Sequence, residues 1–282
     1  MRTCIIIPAH NEAQYIEDCL YSFINQTQPP NQLIVVDDNS TDNTFEIACS
    51  FTADYPWIKV LQHHSSAAHL PGEKVIRAFY FGLAHADNNY DVIGKFDADI
   101  ILPTNYFETM RDHFKSSQLL GMCSGLLYVK KRGKWVYEDI AHQNHVRGPI
   151  KLYNRLAFES MNGLRYGVGW DTVDTLLCQY HNFETRTDHS LIVKHLRPTG
   201  QGYSIKNHRA KGKALYQMRY DLTLANIALL KMAWQAKKPM LYFQGVVGYL
   251  VAWLKKHPRF VSIKQGRFIR KLRWKGIRSS LF

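Results

Sequence analysis

Two carboxylates stand two positions apart in Lys95-Phe96-Asp97-Ala98-Asp99. They follow the apolar run Val92-Ile93-Gly94 and precede Ile100-Ile101-Leu102. Side chains alternate along a strand, so Asp97 and Asp99 fall on one face, about 6–7 Å apart. Carboxylates held that close repel each other unless a cation compensates. Mg²⁺ or Mn²⁺ with bound phosphates is the usual partner of such a sparse carboxylate set. An Asp-x-Asp pair alone describes a solvated strand end equally well. Here it has company. Pro8-Ala9-His10-Asn11-Glu12 follows Ile5-Ile6-Ile7, and Asp37-Asp38-Asn39-Ser40-Thr41-Asp42 follows Ile34-Val35-Val36.

The elements that carry these clusters alternate. Strands are predicted over 3–7, 32–36, 57–62 and 90–96, and helices over 11–24, 44–54 and 74–86. The strand runs are short and β-branched; the helices repeat apolar residues at 3–4-residue spacing, as in Val75, Phe79 and Leu83. Such alternation implies an α/β fold with a mostly parallel central sheet flanked by helices. Ligands of such sheets bind outside the carboxyl ends of the strands. All three polar clusters lie there. Beyond position 120 the pattern is less regular, with strands predicted at 126–129, 135–137 and 150–153 and helices at 155–161 and 172–181.

Composition excludes several classes. Five scattered cysteines without Cys-x-x-Cys spacing argue against a disulfide framework or zinc knuckle and suit a reducing cytosol. Met1 to Ile7 contains no signal-peptide pattern. The net charge of +13 is divided: residues 1–193 carry −6, and residues 194–282 carry +19 with Asp221 as their one acid. That asymmetry predicts an acidic catalytic body and a basic tail that meets an anionic surface. No nucleic-acid-binding motif accompanies the basic residues.

In this order the clusters resemble glycosyltransferase family 2, whose members are inverting enzymes with the GT-A nucleotide-sugar-binding fold. The segments are Ile6 to Glu12, Val35 to Asp42 and Phe96 to Asp99, with Gly148 to Arg155 and Gly169-Trp170-Asp171-Thr172-Val173-Asp174 further along. The resemblance implies that Pro8, Ala9, Asn11 and Glu12 line the nucleotide pocket, that Asp38 meets the base, and that Lys95 assists the phosphates. It implies that Asp97 touches the ribose or the metal and that Asp99 ligates Mn²⁺ or Mg²⁺. His195 would complete the metal site, since a His after the last core strand ligates metal in many enzymes of this fold. Inverting transfer also needs a carboxylate to take the acceptor hydroxyl's proton. Asp171 and Asp174 are the candidates. Phe183 lies 12 residues beyond Asp171, a spacing that favours Asp171 by resemblance, although Trp170 stands where the family has an acid.

The expected organisation is a catalytic domain over 1–214 and a helical basic region over 215–282. Apolar segments run over 222–234 and 240–254. The second, broken by Gln244, Gly245 and Gly248 and flanked by Lys255, Lys256 and Arg259, is too short to span a bilayer and reads as an interfacial or re-entrant helix. Residues 260–274 read as a basic amphipathic helix lying on anionic lipid. Packing on the body or a homodimer interface are the alternative uses of these helices. The expected activity is metal-dependent transfer of a sugar from a nucleotide-sugar donor, UDP-linked, to a hydroxyl of a lipid-linked saccharide in surface-polysaccharide synthesis. Its location would be cytoplasmic, on the inner face of the cell membrane. The rivals are a polyprenyl-phosphate glycosyltransferase and a non-catalytic membrane-associated scaffold.

Overall fold

The computed structural model describes residues 1–65, 72–198 and 205–279. Among the described residues nine strands form one sheet in the order β3-β2-β1-β4-β8-β6-β9-β5, with β7 paired to β6. Strands β1 (Thr3–Ala9), β2 (Gln32–Asp38), β3 (Ile58–His63) and β4 (Val92–Phe96) are parallel neighbours. They alternate with helices α1 (Ile16–Ile24), α2 (Thr44–Ser50) and α3 (Glu73–Ala84). Beyond β4 the sheet is mixed. The short β5 (Ile100–Ile101) and helix α4 (Tyr106–Ser116) precede β6 (Leu120–Lys131), β7 (Lys134–Tyr137) and β8 (Ile150–Asn154). Strand β8 runs antiparallel to both β4 and β6. Helices α5 (Arg155–Ser160) and α6 (Trp170–Tyr180) lead to β9 (Glu184–His195), which is parallel to β6.

Both faces of the sheet are dry, so its central strands read as continuous apolar runs. Period-2 alternation sends Ile5, Ile7, Leu33 and Val35 into one layer with Phe23 and Phe107. It sends Cys4, Ile6, Ile34 and Val36 into the other, with Phe79, Val173 and Leu177. Helix α1 begins five residues later than its apolar pattern suggested, because Asn11 adopts φ 55° and the Glu12 carbonyl accepts from both Tyr15 and Ile16 backbone N–H groups. Helix α4 was not anticipated from the sequence, and β6 starts earlier than the predicted 126.

Helix α7 (Ile205–Gln217) runs through position 214 and is followed by α8 (Leu222–Gln235), α9 (Met240–Leu254) and α10 (Ile263–Ser279). Asp221 caps α8 by accepting from the Leu224 N–H at 2.8 Å. The glycines of α9, which looked like interruptions in an apolar segment, are its contact face with α7. A Cβ on Gly248 would stand 2.0 Å from the Arg209 carbonyl oxygen, and one on Gly212 1.8 Å from that of Gly245. Only glycine permits backbones to approach so closely. Gly248→Val is therefore expected to destabilise the protein by about 1–3 kcal/mol or more, read as a lowered midpoint in thermal unfolding.

Candidate active site

Strand β4 ends at Phe96, and the chain then bends. The Asp97 N–H donates to the Pro149 carbonyl at 2.9 Å, and the Asp99 carbonyl accepts from Leu196 at 2.8 Å. The two carboxylates are thus presented by a bend between β4 and β5 rather than by alternation along a strand. Strand β5 pairs with the end of β9, Ile100 opposite His195. That register delivers His195 from nearly a hundred residues away. One donor atom each from Asp97, Asp99 and His195 lies within 4.8 Å of the others.

Charge compensation surrounds the cluster. Lys95, 2% exposed, pairs with Asp97. Arg197 bridges Glu12 and Asp99, with its Nε 3.2 Å from Asp99 Oδ2. Burial opposes ionisation of Asp97, but Lys95, His195 and Arg197 hold its carboxyl below the usual carboxylate range. Burial likewise opposes a charge on His195, yet its bonds to Asp99 and Glu138 raise its pKa to about 9. Burial pushes Glu12 up to about 7 against the pull of Arg197. One Glu12 oxygen, Oε2, is buried with no hydrogen-bond partner.

His195 has a second partner. Its Nδ1 faces Glu138 Oε2 at 3.3 Å, and Arg147 holds that same carboxylate at 2.8 Å; Glu138 and Arg147 are both buried. With Nδ1 donating to Glu138, Nε2 faces Asp99 3.5 Å away, and it is the Nε2 proton that a bound cation would displace. A carboxylate behind a histidine in this way fixes the tautomer that ligates metal. Two carboxylates and one imidazole so oriented form a donor set that fits Mn²⁺ or Mg²⁺.

The nucleotide-side candidates come together at the neighbouring strand ends. Asp38, 5% exposed, accepts from His63 Nδ1 at 3.0 Å and from the Ser65 N–H at 3.3 Å. His10 Nδ1 donates to the Asp38 carbonyl at 2.7 Å. Asn11 Oδ1 accepts from the Thr41 N–H at 2.8 Å, and the Glu12 N–H donates to Thr44 Oγ1 at 2.8 Å, which ties the β1–α1 turn to the β2–α2 turn. Pro8 and Ala9 lie on β1 opposite Val36 and Asp37.

The candidate bases separate. Asp171 is half-buried in the first turn of α6, whose N-terminus favours an anion. It lies against Gly148, where a Cβ would stand 3.3 Å from the Asp171 Cβ. Asp174 is 1% exposed and does not reach the cleft. Its Oδ1 accepts from Lys151 at 2.7 Å and its Oδ2 from the Tyr153 hydroxyl at 2.6 Å. Burial pushes the Asp174 carboxyl up, with Lys151 and Tyr153 pulling against it. The Lys151 ammonium also donates to the Asp171 carbonyl, which pins the first turn of α6. Trp170 stands where the sequence pattern called for an acid. Its ring lies 5.3 Å from Lys95 Nζ and 5.7 Å from Lys151 Nζ.

Lys151, Glu138 and Arg197 were not singled out from sequence. Lys151 carried a signal: a charge inside the buried strand Ile150-Lys151-Leu152-Tyr153 demands a partner. Glu138 and Arg197 carried none, because their roles exist only after β9 has met β5 and β6.

Comparison with known proteins places this geometry. Chondroitin synthase of Escherichia coli is 29% identical over 114 residues, 39% of this chain and 15% of that protein. The chain spans a third or less of the length of the curated relatives it matches. Staphylococcus aureus TarS in complex with UDP-GlcNAc superposes with a TM-score of 0.56 at 16% identity, covering 82% of this chain and 67% of that one. The mannosyltransferase PcManGT of Pyrobaculum calidifontis, in complex with GDP-Man and Mn²⁺, gives 0.57 at 15% identity, covering 100% and 81%. These likenesses establish the GT-A fold. The family model described as Glycosyl transferase family 2 matches residues 4–166, and the chain belongs to that family of glycosyltransferases.

Proposed function

We propose that the chain is a divalent-cation-dependent inverting glycosyltransferase that moves a sugar from a nucleoside diphosphate donor to an acceptor hydroxyl. The observation that carries this reading is the meeting of Asp97, Asp99 and His195 at the carboxyl end of the parallel strands, with Trp170 beside Lys95 and the half-buried Asp171 next to Trp170 in the chain. Asp97, Asp99 and His195 would hold the cation, and Glu138 would orient His195. When bound, the cation supplies charge neutralisation for the leaving diphosphate. Asp38 and the Asn11–Glu12 turn bind and orient the nucleoside. Lys95 adds positive charge beside the phosphates. Asp171 takes the proton of the acceptor hydroxyl as that oxygen bonds to the anomeric carbon. The bond from that carbon to the diphosphate breaks on the opposite face, which inverts the configuration. Asp174 serves as the counter-ion of Lys151 and not as the base.

TarS with UDP-GlcNAc supports a UDP donor, and chondroitin synthase supports an acceptor in polysaccharide synthesis. The basic C-terminal region supports a lipid-linked acceptor at the anionic cytoplasmic face of a membrane. Among the described residues no helix is long and apolar enough to cross a membrane, which favours peripheral contact.

Calorimetry with UDP, GDP and dTDP, each with and without Mn²⁺, tests the donor site. One nucleotide is expected to bind only with Mn²⁺, and Asp99→Ala is expected to abolish that binding. If none of the three binds wild type, the donor-site reading is wrong and a non-catalytic scaffold takes its place.

A further inference from the structure

The sequence offered two segments for membrane contact, the interfacial or re-entrant reading of α9 and the basic amphipathic reading of α10. The structure uses the apolar side of α10 otherwise. Ile269 is fully buried, and Phe268, Leu272 and Ile277 pack against the same core layer as α6. The Phe268 ring meets Tyr180 edge-on at 5.5 Å. Arg273 reaches inward to the Tyr220 hydroxyl at 2.7 Å, and Arg270 to the Arg219 carbonyl at 2.7 Å. Among its described residues, the apolar side of α10 from Phe268 to Ile277 is thus taken up by the protein core.

Helix α9 keeps an exposed apolar side. Gly245, Gly248, Tyr249 and Ala252 form its buried side. At 100° per residue the opposite side holds Met240, Phe243, Val247, Leu250, Val251 and Leu254. All six are exposed, from 39% for Leu250 to 69% for Leu254. No charged residue interrupts the helix. Isolated exposed apolar residues need no explanation, but a continuous stripe along a whole helix does. On neighbouring α8, Trp234 is 83% exposed.

The surroundings say what covers the stripe. Lys237 and Lys238 precede α9, and Lys255 and Lys256 follow it, all exposed. The single acid of residues 194–282, Asp221, is occupied in capping α8. Two copies meeting through this face would bring lysines against lysines with no acid to offset them. An anionic headgroup layer supplies the missing charge, and long lysine side chains reach it from beside a buried apolar stripe. At 1.5 Å per residue the helix is about 22 Å long, short of the roughly 30 Å hydrocarbon core. It suits a helix lying in the plane of the interface.

We propose that the outer face of α9, from Met240 to Leu254, is a membrane-docking surface that inserts side-on into an anionic bilayer, with the lysine pairs at its two ends in the headgroups. This rests on the proposed function only in supplying a surface at which a lipid-linked acceptor is met. Its test is independent of catalysis. The full chain would be sedimented with phosphatidylcholine vesicles and with vesicles containing one-quarter phosphatidylglycerol. Binding to the second kind is expected, and it should fall tenfold or more in Val247→Glu/Leu250→Glu. Lys255→Glu/Lys256→Glu should weaken it and reduce its salt dependence. Mn²⁺-dependent nucleotide affinity, measured on the same preparations, should not change, which shows the variants to be folded. Absence of wild-type binding, or equal binding by the α9 variant, would overturn the proposal. So would a solution dimer, seen by analytical ultracentrifugation, that the same substitution dissolves. Vesicle binding without any nucleotide binding would leave the docking surface standing and remove the donor-site reading.

Discussion

Asp171→Asn is expected to lower kcat by about 10²–10⁴-fold, the usual contribution of a positioned general base. Affinity for the nucleotide with Mn²⁺ should be unchanged, because Asp171, the proposed acceptor-side base, is not among Asp97, Asp99 and His195, the residues that would hold the cation. Steady-state rates with acceptor, set beside calorimetric donor binding, separate the two effects. Asparagine keeps the size of the side chain and its place at the α6 N-terminus but cannot take a proton. No neighbour can substitute. Asp174 is 1% exposed and both its oxygens are engaged by Lys151 and Tyr153. His145, half-buried nearby, is driven down to about 4 by burial and by Lys151. The experiment also decides between acceptors. A hydroxyl nucleophile must lose its proton in the transition state, whereas a lipid phosphate arrives ionised. Substantial residual activity in Asp171→Asn would exclude the hydroxyl reading and favour a polyprenyl-phosphate acceptor.

The parts of the site that local chemistry dictates were legible in the sequence. Asp38, Asn11 and the Asp97–Asp99 pair follow β-branched runs that must be strands, so their place at strand ends was set. The limits of α9 were legible too, because an apolar run bounded by Pro239 and Lys255 has few alternatives. What escaped depends on pairing between distant strands. His195 was singled out by resemblance, but only the β5–β9 register brings it to the carboxylates, while Glu138, in the turn that follows β7, escaped altogether. Lys151 and Asp174 were each visible, but the antiparallel approach of β8 to β4 makes them a buried pair and turns a candidate base into a counter-ion. Periodicity reports that a helix face is buried without saying by what. For that reason α10, apolar on one side and basic on the other, read as a lipid-facing helix although α6 covers it. The glycines of α9 did not shift the expected helix, but their use was not legible, since a residue that weakens an isolated helix is the one that lets two helices touch.

The buried Lys151–Asp174 pair carries the second large effect. Lys151→Met is expected to cost about 3–5 kcal/mol in urea denaturation at neutral pH, because it leaves an uncompensated charge in a dry core. Lys151→Met/Asp174→Leu should recover part of that loss, since an apolar pair needs no ionic partner although it leaves the Tyr153 hydroxyl without its acceptor. The single variant should also carry a pH signature. Burial already raises the folded-state pKa of Asp174 above its ordinary value of 3.8. Removing the ammonium raises it further, so the folded state binds a proton that the unfolded state has released. Stability of Lys151→Met then falls as pH rises from the unfolded pKa through the raised folded one, and the deficit is smaller in mild acid than at pH 7 or above. Catalysis separates stability from positioning. The double variant regains part of the lost stability but not the donor to the Asp171 carbonyl. If Lys151 serves the core alone, the double variant should turn over like wild type. If it also aims the base, kcat stays depressed while nucleotide affinity is normal, and that is the result expected from the bond between its ammonium and the first turn of α6.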